Sequence, residues 1–293
     1  MNFTVTPLTP EFGAEVRGVD LRNPVTPDLV AWIERAMNQH AVVVLRDQQI
    51  DDDQQLAFAQ ALGTLEPTPA VVDGHLHRLK HQQMVDISNL EVDGSIIAAD
   101  DRRRMFNLGN MLWHSDSSFK ATPAKHSMLH ARVIPPSGGE TEFADMRAAW
   151  DALTESQKTL IDPLVCDHSL IYSRAALGFD AFTEVERVAF TPVPQRLVRR
   201  HPGSGRKSIF LSSHIGTIQG WLRPEAMMLI RELTEHATRP EFVYRHVWQL
   251  HDLVIWDNRC TMHRARPFED RKYKRDMRRL TLEDVAPTLQ QAA

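Results

Sequence analysis

Short apolar runs that end in turns make up most of the second half of the chain, and this pattern restricts the fold more than any other feature. The runs 196-RLVRRH-201 and 207-KSIFLSS-213 flank the turn 202-PGSG-205, which is typical of a β-hairpin. Similar strand-like runs lie at 41–47, 242–250, 253–258 and 272–282. Because short strands predominate and do not alternate regularly with helices, we expect a mainly β fold with helical insertions and a β-sandwich or jelly-roll core.

Four helical regions are predicted around this core. An apolar stripe indicates a helix over 28–39, and an acidic start with a terminal glycine indicates another over 51–63. A third region covers 145–162 and can re-initiate at the capping box of Thr154, while the fourth covers 224–238. The helices are thus expected at the start of the chain and as insertions.

The composition excludes several classes of protein. No linker rich in proline, glycine or serine divides the chain, so we expect one domain over 1–293. The net charge of −4 does not favour binding to nucleic acid or to an anionic membrane, and no run approaches the roughly 18 apolar residues of a membrane span. Dinucleotide-binding and P-loop motifs are absent. The start of the chain lacks a secretory signal, so we expect a cytoplasmic protein with two reduced, buried thiols, Cys166 and Cys260.

The segment 110-NMLWHSDSSF-119 contains His114 and Asp116, two residues apart. On a strand, both side chains would project from one face and could take adjacent positions around one metal ion. Two histidines and one carboxylate are the ligand set of mononuclear non-heme iron sites. His263, at the end of the run 253-LVIWDNRCTMH-263, is the best candidate for the second histidine. An ordinary polar pair is the alternative, because His-x-Asp also occurs by chance in a chain with 14 histidines.

Other histidines show no comparable pattern. His246 and His251 flank a predicted strand and could be surface residues. The remaining candidates are expected to be structural or solvated: His126, His130, His168 and His236.

The segment 271-RKYKRDMRR-279 has six Lys or Arg in nine residues. A solvated basic face or a weak nucleic-acid patch is one interpretation. On a strand, however, Arg275 and Arg279 would lie on one face. Two inward arginines are costly unless they bind anions, and the guanidinium fork suits a carboxylate. The strand interpretation therefore predicts two carboxylate-like ligands in one cavity, as an enzyme that binds 2-oxoglutarate together with an anionic substrate requires.

Several segments resemble the taurine / 2,4-dichlorophenoxyacetate dioxygenase family of Fe(II)- and 2-oxoglutarate-dependent enzymes, and most closely its 2,4-dichlorophenoxyacetate branch. They occur in the expected order over most of the chain: LWHSDSSF (112–119), PPSGGETEFADMRAAWDAL (135–153), GSGRK (203–207), HATRPEFVYRHVW (236–248), WDNR (256–259) and RDMRRLTLED (275–284). The resemblance implies a double-stranded β-helix, or jelly-roll, core.

The resemblance also implies roles for individual residues. The iron ligands at the catalytic centre would be His114, Asp116 and His263. The 2-oxoglutarate site would contain Thr141, Trp248 and Arg275. The substrate site would contain Arg279, which holds an anionic head group, with Asn110 and His201. Without the resemblance, Thr141 would be an ordinary strand threonine and Trp248 a core aromatic.

Such an enzyme would use O2 and 2-oxoglutarate to hydroxylate a small anionic substrate, with release of succinate and CO2. For an aryloxyalkanoate such as the herbicide 2,4-dichlorophenoxyacetate, the products would be a phenol and glyoxylate. The same chemistry on taurine, an alkyl sulfate or sulfonate, or another small carboxylate is the alternative. A non-catalytic metal- or nucleic-acid-binding protein that uses the 271–279 run is a third hypothesis.

The region that we expect to cover the site departs from the resemblance. A lid is predicted over 71–105, and Val71 and Ser95 stand where the herbicide-degrading enzymes lead us to expect lysines. Lys80 could compensate for them. Members of the family often assemble, so a homo-oligomer is also expected.

Overall fold

A computed structural model describes residues 3–10, 12–67 and 78–291. Its α-helices are α1 (Pro27–His40), α2 (Asp52–Leu62), α3 (Arg102–Asn107), α4 (Met146–Asp151), α5 (Glu155–Ile161), α6 (Leu170–Ala175), α7 (Glu184–Ala189) and α8 (Arg223–Ala237). Its strands are β1 (Thr4–Pro7), β2 (Ala14–Arg17), β3 (Val42–Leu45), β4 (Val85–Ser88), β5 (Ala124–Val133), β6 (Thr141–Asp145), β7 (Val165–His168), β8 (Val193–Arg196), β9 (Val198–Arg200), β10 (Lys207–Ile209), β11 (Ile215–Ile218), β12 (Val243–His246), β13 (Leu253–Asp257), β14 (Thr261–Ala265) and β15 (Asp276–Glu283).

Two sheets position the candidate site. A seven-stranded sheet has the order β1-β2-β3-β13-β5-β15-β4, and a three-stranded sheet has the order β12-β6-β14. The neighbouring strands are antiparallel except β2 and β3. Smaller sheets, β11-β7-β8 and β9-β10, lie outside these two. Because strands distant in sequence are neighbours, residues from opposite ends of the chain meet in the two main sheets.

The central strands contribute to two apolar layers, since successive strand residues point to opposite faces. Val43 and Ile255 belong to a layer with apolar residues of α1 and α2. Val42 and Trp256, from the same two strands, belong to a layer with Phe143 of the three-stranded sheet. The large sheet is therefore covered by helices on one face and by the small sheet on the other.

The predicted helices are present, and local signals explain their ends. The Thr26 hydroxyl accepts a hydrogen bond from the Leu29 amide at the start of α1, and Asp51 and Thr154 form capping boxes at α2 and α5. The region 145–162 is two helices, α4 and α5, with the second starting at the Thr154 capping box. The predicted hairpin is β9 paired with β10. The fold is mixed and rich in sheet, with helices before and between the strands.

Two further expectations concern the cysteines and the membrane-spanning segments. Cys166 and Cys260 are free and buried, as predicted. Within the described ranges, no helix combines the length and apolar character needed to cross a membrane.

Candidate metal centre and its two cavities

His114 and His263 meet through a short antiparallel bridge between distant parts of the chain. The His114 amide donates to the His263 carbonyl at 3.0 Å, and the His263 amide donates to the His114 carbonyl at 2.8 Å. The two rings have centroids 4.2 Å apart. The prediction that His114 and Asp116 lie along a strand is wrong, because only this single bridge forms before a turn begins at Asp116. The turn still leaves both side chains at the same site.

The side chains of His114, Asp116 and His263 form a buried cluster whose ligand atoms all lie within 4.8 Å of one another. The His114 Nε2 atom is 3.8 Å from Asp116 Oδ1, and the His263 Nε2 atom is 3.6 Å from Asp116 Oδ2. These separations are too long for hydrogen bonds, and they suit donor atoms that share an ion at roughly 2 Å from each. The His114 Nδ1–H donates to the Leu112 carbonyl at 2.7 Å, which leaves the Nε2 lone pair free.

The protonation states also suit a cation. Burial lowers the pKa of His263 to about 3 and also lowers the pKa of His114, so both imidazoles are neutral at pH 7. Burial alone would raise the pKa of Asp116, but the Arg279 guanidinium and the hydrogen bond from Ser127 help hold it below its ordinary value. Two neutral imidazoles and one carboxylate are the donor set of a non-heme iron site.

A buried network holds the Asp116 carboxylate, and none of its other members was predicted from sequence. The Ser127 hydroxyl of β5 donates to Asp116 Oδ2 at 2.7 Å, and Asn258 Nδ2 donates to Ser127 Oγ at 2.9 Å. Asn258 Oδ1 accepts from the Asp116 amide at 3.0 Å and from Trp256 Nε1 at 3.2 Å. Asn258 lies in the WDNR segment, which was the only sequence signal for this network. The network thus fixes both the backbone and the side chain of Asp116.

One cavity, of about 280 Å³, lies on the His263 side of the cluster and is here called the 141/275 cavity. Thr141 and Arg275 line it, and the Thr141 hydroxyl accepts a hydrogen bond from Trp248 Nε1 at 3.1 Å. The Arg275 side chain is buried without a carboxylate partner among the described residues, and burial lowers its pKa to about 10. The predicted residues therefore converge here, although Trp248 reaches the cavity through Thr141 and does not line it itself.

A second cavity, of about 260 Å³, lies on the Asp116 side and is here called the 174/279 cavity. Apolar and aromatic side chains form much of its wall, including Phe106, Phe119 and Leu170. The two cavities share His114, Asn110 and Arg279 among their lining residues. Arg279 Nη1 donates to Asp116 Oδ1 at 2.9 Å, so this arginine already has a carboxylate partner. Asn110 and Arg279 thus occupy the junction at which substrate contact was predicted.

Two further residues of the 174/279 cavity were missed from sequence. Arg174 of α6 and His214 are both buried and line the cavity. The His214 ring packs against Phe119 with a centroid separation of 4.9 Å, and its Nδ1 lies 2.9 Å from the Ser173 hydroxyl. Neither residue belongs to a recognisable motif, so no local signal separates them from core residues.

The prediction that His201 lines the substrate side is wrong. His201 is buried outside both cavities, and its Nε2 lies 3.0 Å from Asp257 Oδ2. Asp257 also accepts two hydrogen bonds from Arg259 and lies 3.2 Å from His126 Nε2. His201 is therefore part of an ion-pair network inside the protein.

For the other histidines, the prediction of a surface position is wrong for His246, and the prediction of a structural role is confirmed for four residues. His246 is buried with its Nε2 3.1 Å from Asp252 Oδ2, so the surface interpretation is wrong for it. His251 is partly buried. The four histidines expected to be structural or solvated have protein partners and lie outside both cavities: His126, His130, His168 and His236.

The basic run is not a uniform solvated face. Arg275 precedes β15, and Arg278 is buried in an ion pair with Asp276. The prediction of two inward arginines is confirmed for Arg275 and Arg279, which both line the 141/275 cavity. Because these arginines point inward, they are not available to a nucleic-acid-binding patch on the surface.

The predicted lid is only partly described. Val71 lies outside the described residues. Ser95 is exposed and Lys80 pairs with Asp53, and neither lines a cavity. Residues from 78–107 do contribute to the 174/279 cavity, among them Met84 and Phe106. Lys80 therefore does not replace the missing lysines in this structure.

Comparison with known proteins matches residues 4–281 to the family described as taurine catabolism dioxygenase TauD, TfdA family. An α-ketoglutarate-dependent 2,4-dichlorophenoxyacetate dioxygenase of Cupriavidus pinatubonensis is 45% identical over 286 residues, which cover 98% of this chain and 99% of the relative. A dioxygenase of the same description from Burkholderia sp. is 46% identical over 274 residues, covering 94% and 92%. The crystal structure of AAD-2 in complex with Mn(II) and N-oxalylglycine has a TM-score of 0.90 and 52% identity, covering 99% of this chain and 100% of that one.

Proposed function

We propose that this chain, which belongs to the taurine catabolism dioxygenase TauD, TfdA family, hydroxylates an aryloxyalkanoate such as 2,4-dichlorophenoxyacetate. It is an oxygenase that depends on a metal ion, 2-oxoglutarate and O2. Hydroxylation beside the ether oxygen gives a hemiacetal, which collapses to a phenol and glyoxylate. The observation that carries the proposal is the meeting of two cavities at His114. One contains Arg275, which has no carboxylate partner among the residues that the structure describes, and the other has an aromatic wall.

The metal centre consists of His114, Asp116 and His263, which would hold Fe(II). Bound Fe(II) with 2-oxoglutarate and O2 supplies the oxidising chemistry, with succinate and CO2 as by-products. The protein keeps the two imidazoles neutral and Asp116 ionised, and Ser127 and Arg279 orient the Asp116 carboxylate. These residues therefore set the position at which oxidation takes place.

The 141/275 cavity is the 2-oxoglutarate site in this proposal. Arg275 binds the distal carboxylate, because a buried guanidinium with free donors favours a planar anion. Trp248 donates to the Thr141 oxygen, so the Thr141 hydroxyl proton is free to donate to a carboxylate of the cosubstrate. The site therefore offers hydrogen-bond donors for an anion. Among its described lining residues, Asp270 has the one carboxylate that could repel the anion, and Asp270 is paired with Arg104.

The 174/279 cavity is the substrate site. Its aromatic and apolar wall packs against an aryl ring and excludes water from the reacting carbon. Arg279 binds the anionic head group, and Asn110 contacts the substrate beside the metal centre. His201 has no place in this site. Binding of the head group then fixes the position of the substrate beside the metal centre, and this position determines which carbon is oxidised.

The architecture supports the same assignment. The facing seven- and three-stranded sheets support a double-stranded β-helix, or jelly-roll, core. Strands from both ends of the chain share the large sheet, which supports one domain over 1–293.

A substrate panel tests the proposal. The purified enzyme would be assayed with Fe(II), 2-oxoglutarate and each of four compounds: 2,4-dichlorophenoxyacetate, phenoxyacetate, taurine and an alkyl sulfate. We expect the highest kcat/KM for an aryloxyacetate, with phenol and succinate formed in equal amounts. A higher kcat/KM for taurine or the alkyl sulfate would replace the substrate class while keeping the oxygenase. The aromatic wall disfavours taurine, which has no ring to cover it.

A further inference from the structure

Buried arginines without a carboxylate partner indicate where an anion binds. Four of the buried arginines donate to an aspartate: Arg147, Arg199, Arg259 and Arg278. Among the described residues, Arg174 and Arg275 are the buried arginines that have no such partner. A buried guanidinium is costly unless a negative charge neutralises it. Each of the two cavities thus contains one buried arginine that lacks an anion.

Arg174 is held in place by neutral groups. Its Nη1 donates to the Ser173 hydroxyl at 2.9 Å, and its guanidinium carbon lies 4.4 Å from the centre of the Phe106 ring. Its Nε is buried without a hydrogen-bond partner. Gly109 leaves room for the guanidinium, since a Cβ atom at that position would lie 2.2 Å from Arg174 Nη1. The arginine is therefore fixed, while part of its donor set is unused.

The other arginines of the 174/279 cavity are already paired. Arg78, Arg102 and Arg103 each form ion pairs with aspartate or glutamate side chains. Arg279 donates to Asp116 at 2.9 Å, so a substrate must share this guanidinium with a residue of the metal centre. Arg174 has no competing carboxylate within the described part of the chain.

The charge of Arg174 acts on the interior of the cavity. Burial lowers the pKa of His214 well below its ordinary value, and the nearby Arg174 lowers it further. His214 is therefore neutral and does not supply positive charge. Burial and the positive charge of Arg279 lower the pKa of Arg174 to about 10, so the guanidinium remains charged at pH 7.

We propose that Arg174 binds the anionic group of the substrate, as a second cation beside Arg279, and that it makes the enzyme prefer anionic over neutral aryl ethers. This inference rests on the assignment of the 174/279 cavity as the substrate site. Two arginines around one carboxylate would neutralise the charge of Arg174 and leave Arg279 able to keep its hydrogen bond to Asp116. Arg174 also lies beside the aromatic wall, so ring and head group are recognised together.

The test compares an anionic ligand with a neutral one of similar shape. Phenoxyacetate and 2-phenoxyethanol would be titrated calorimetrically into the anaerobic enzyme loaded with Fe(II) and 2-oxoglutarate. For Arg174→Gln, we expect the Kd of phenoxyacetate to rise roughly 10- to 100-fold, because a hydrogen bond to a charged group is lost. The Kd of 2-phenoxyethanol should stay within about twofold, and Arg174→Lys should recover part of the loss because it keeps the charge.

Arg245→Gln is the matched control. Arg245 lies outside both cavities and pairs with Glu140 at 2.5 Å, so its removal should leave both affinities near those of the wild type. The Kd of 2-oxoglutarate checks that each variant is folded. Arg174→Met, which keeps an unbranched stem beside Phe106, replaces the glutamine variant if that one is unstable.

Unchanged affinity of Arg174→Gln for phenoxyacetate would overturn the inference. An equal loss for both ligands would also overturn it, because Arg174 would then only shape the cavity. If the wild type prefers taurine or an alkyl sulfate in the substrate panel, the aryloxyalkanoate assignment fails separately. The same variants are then titrated with that anion, and loss of affinity in Arg174→Gln alone supports the charge role.

Discussion

The cluster of His114, Asp116 and His263 can be compared with a second buried group formed by His201, Asp257 and Cys260. In both groups, the three side chains place ligand atoms within 4.8 Å of one another. The first group opens on two cavities, and its histidine Nε2 atoms have no hydrogen-bond partners in the ranges 3–10, 12–67 and 78–291. The second group lines neither cavity, and its carboxylate is occupied by Arg259 and two histidines.

The difference shows that ligand types in proximity do not make a metal site. Free lone pairs directed at an accessible space are also needed. The Cys260 thiol adds to the contrast, because burial raises its pKa above the ordinary range and keeps it protonated. The first group is therefore suited to bind a cation, whereas the second stabilises the fold.

The largest effect is expected for removal of a ligand from the first group. His114→Ala should lower kcat/KM by at least about 1000-fold, because the metal contributes several kcal/mol to transition-state stabilisation. The circular dichroism spectrum should stay that of the wild type. The measurement is succinate release with an aryloxyacetate, and turnover that survives in the folded variant would remove His114 from the catalytic centre.

A large loss of stability is expected for the second group. Asp257→Asn should lower the free energy of unfolding by about 3–5 kcal/mol, because it leaves Arg259 buried without its carboxylate. Burial alone would raise the pKa of Asp257, but Arg259 holds it well below 3.8. The stabilisation is thus present above about pH 4 and is lost on acidification, so wild type and variant should converge at lower pH.

Urea unfolding of Asp257→Asn at several pH values measures this effect. Iron binding by the folded fraction should remain at the wild-type level, since we expect neither His201 nor Asp257 to be a metal ligand. Loss of iron without loss of stability would reverse the roles of the two groups.

A smaller effect is expected for the residue that orients Asp116. Ser127→Ala removes the donor to Asp116 Oδ2 and should weaken iron binding roughly 10- to 100-fold, as is typical for the partners of metal ligands. The matched control is Ser208→Ala, which removes a buried hydroxyl bonded to the Arg259 carbonyl. Equal iron affinities in the two variants would mean that Ser127 only packs in β5.

The smallest effect is expected in the 141/275 cavity. Trp248→Phe keeps an aromatic ring but removes the donor to Thr141, so the KM for 2-oxoglutarate should rise about 2- to 10-fold. The KM for the aryloxyacetate should not change and serves as the internal control. A change only in the KM for the aryloxyacetate would place Trp248 on the substrate side.

Local sequence signals predicted α1, α2, α4, α5, α8 and the strand β13 well, but not the short helices α3, α6 and α7. The caps at Thr26, Asp51 and Thr154 act within one turn of each helix, so neighbouring residues are sufficient to identify them. Strand β5 was not predicted, because the polar residues His126, Ser127 and His130 interrupt its apolar pattern. They are buried nonetheless, since residues far away in sequence satisfy them.

The site was predictable only where residues formed a motif. His114, Asp116 and Arg275 lie in segments that resemble the family, and the structure brings them to adjoining cavities. Ser127 and Arg174 lie in segments without a motif, and the fold alone gives them their neighbours. His201 shows the opposite error, because the resemblance implied a substrate role for it but its side chain is bonded to Asp257.

The most direct test of the metal centre is anaerobic titration with Fe(II), followed by 2-oxoglutarate, in the wild type, His263→Ala and His201→Ala. We expect one iron per chain in the wild type and in His201→Ala, with a weak visible charge-transfer band when 2-oxoglutarate is added. His263→Ala should bind iron weakly and show no band. A band in His263→Ala, or its loss in a folded His201→Ala, would contradict the assignment of His114, Asp116 and His263 as the metal centre.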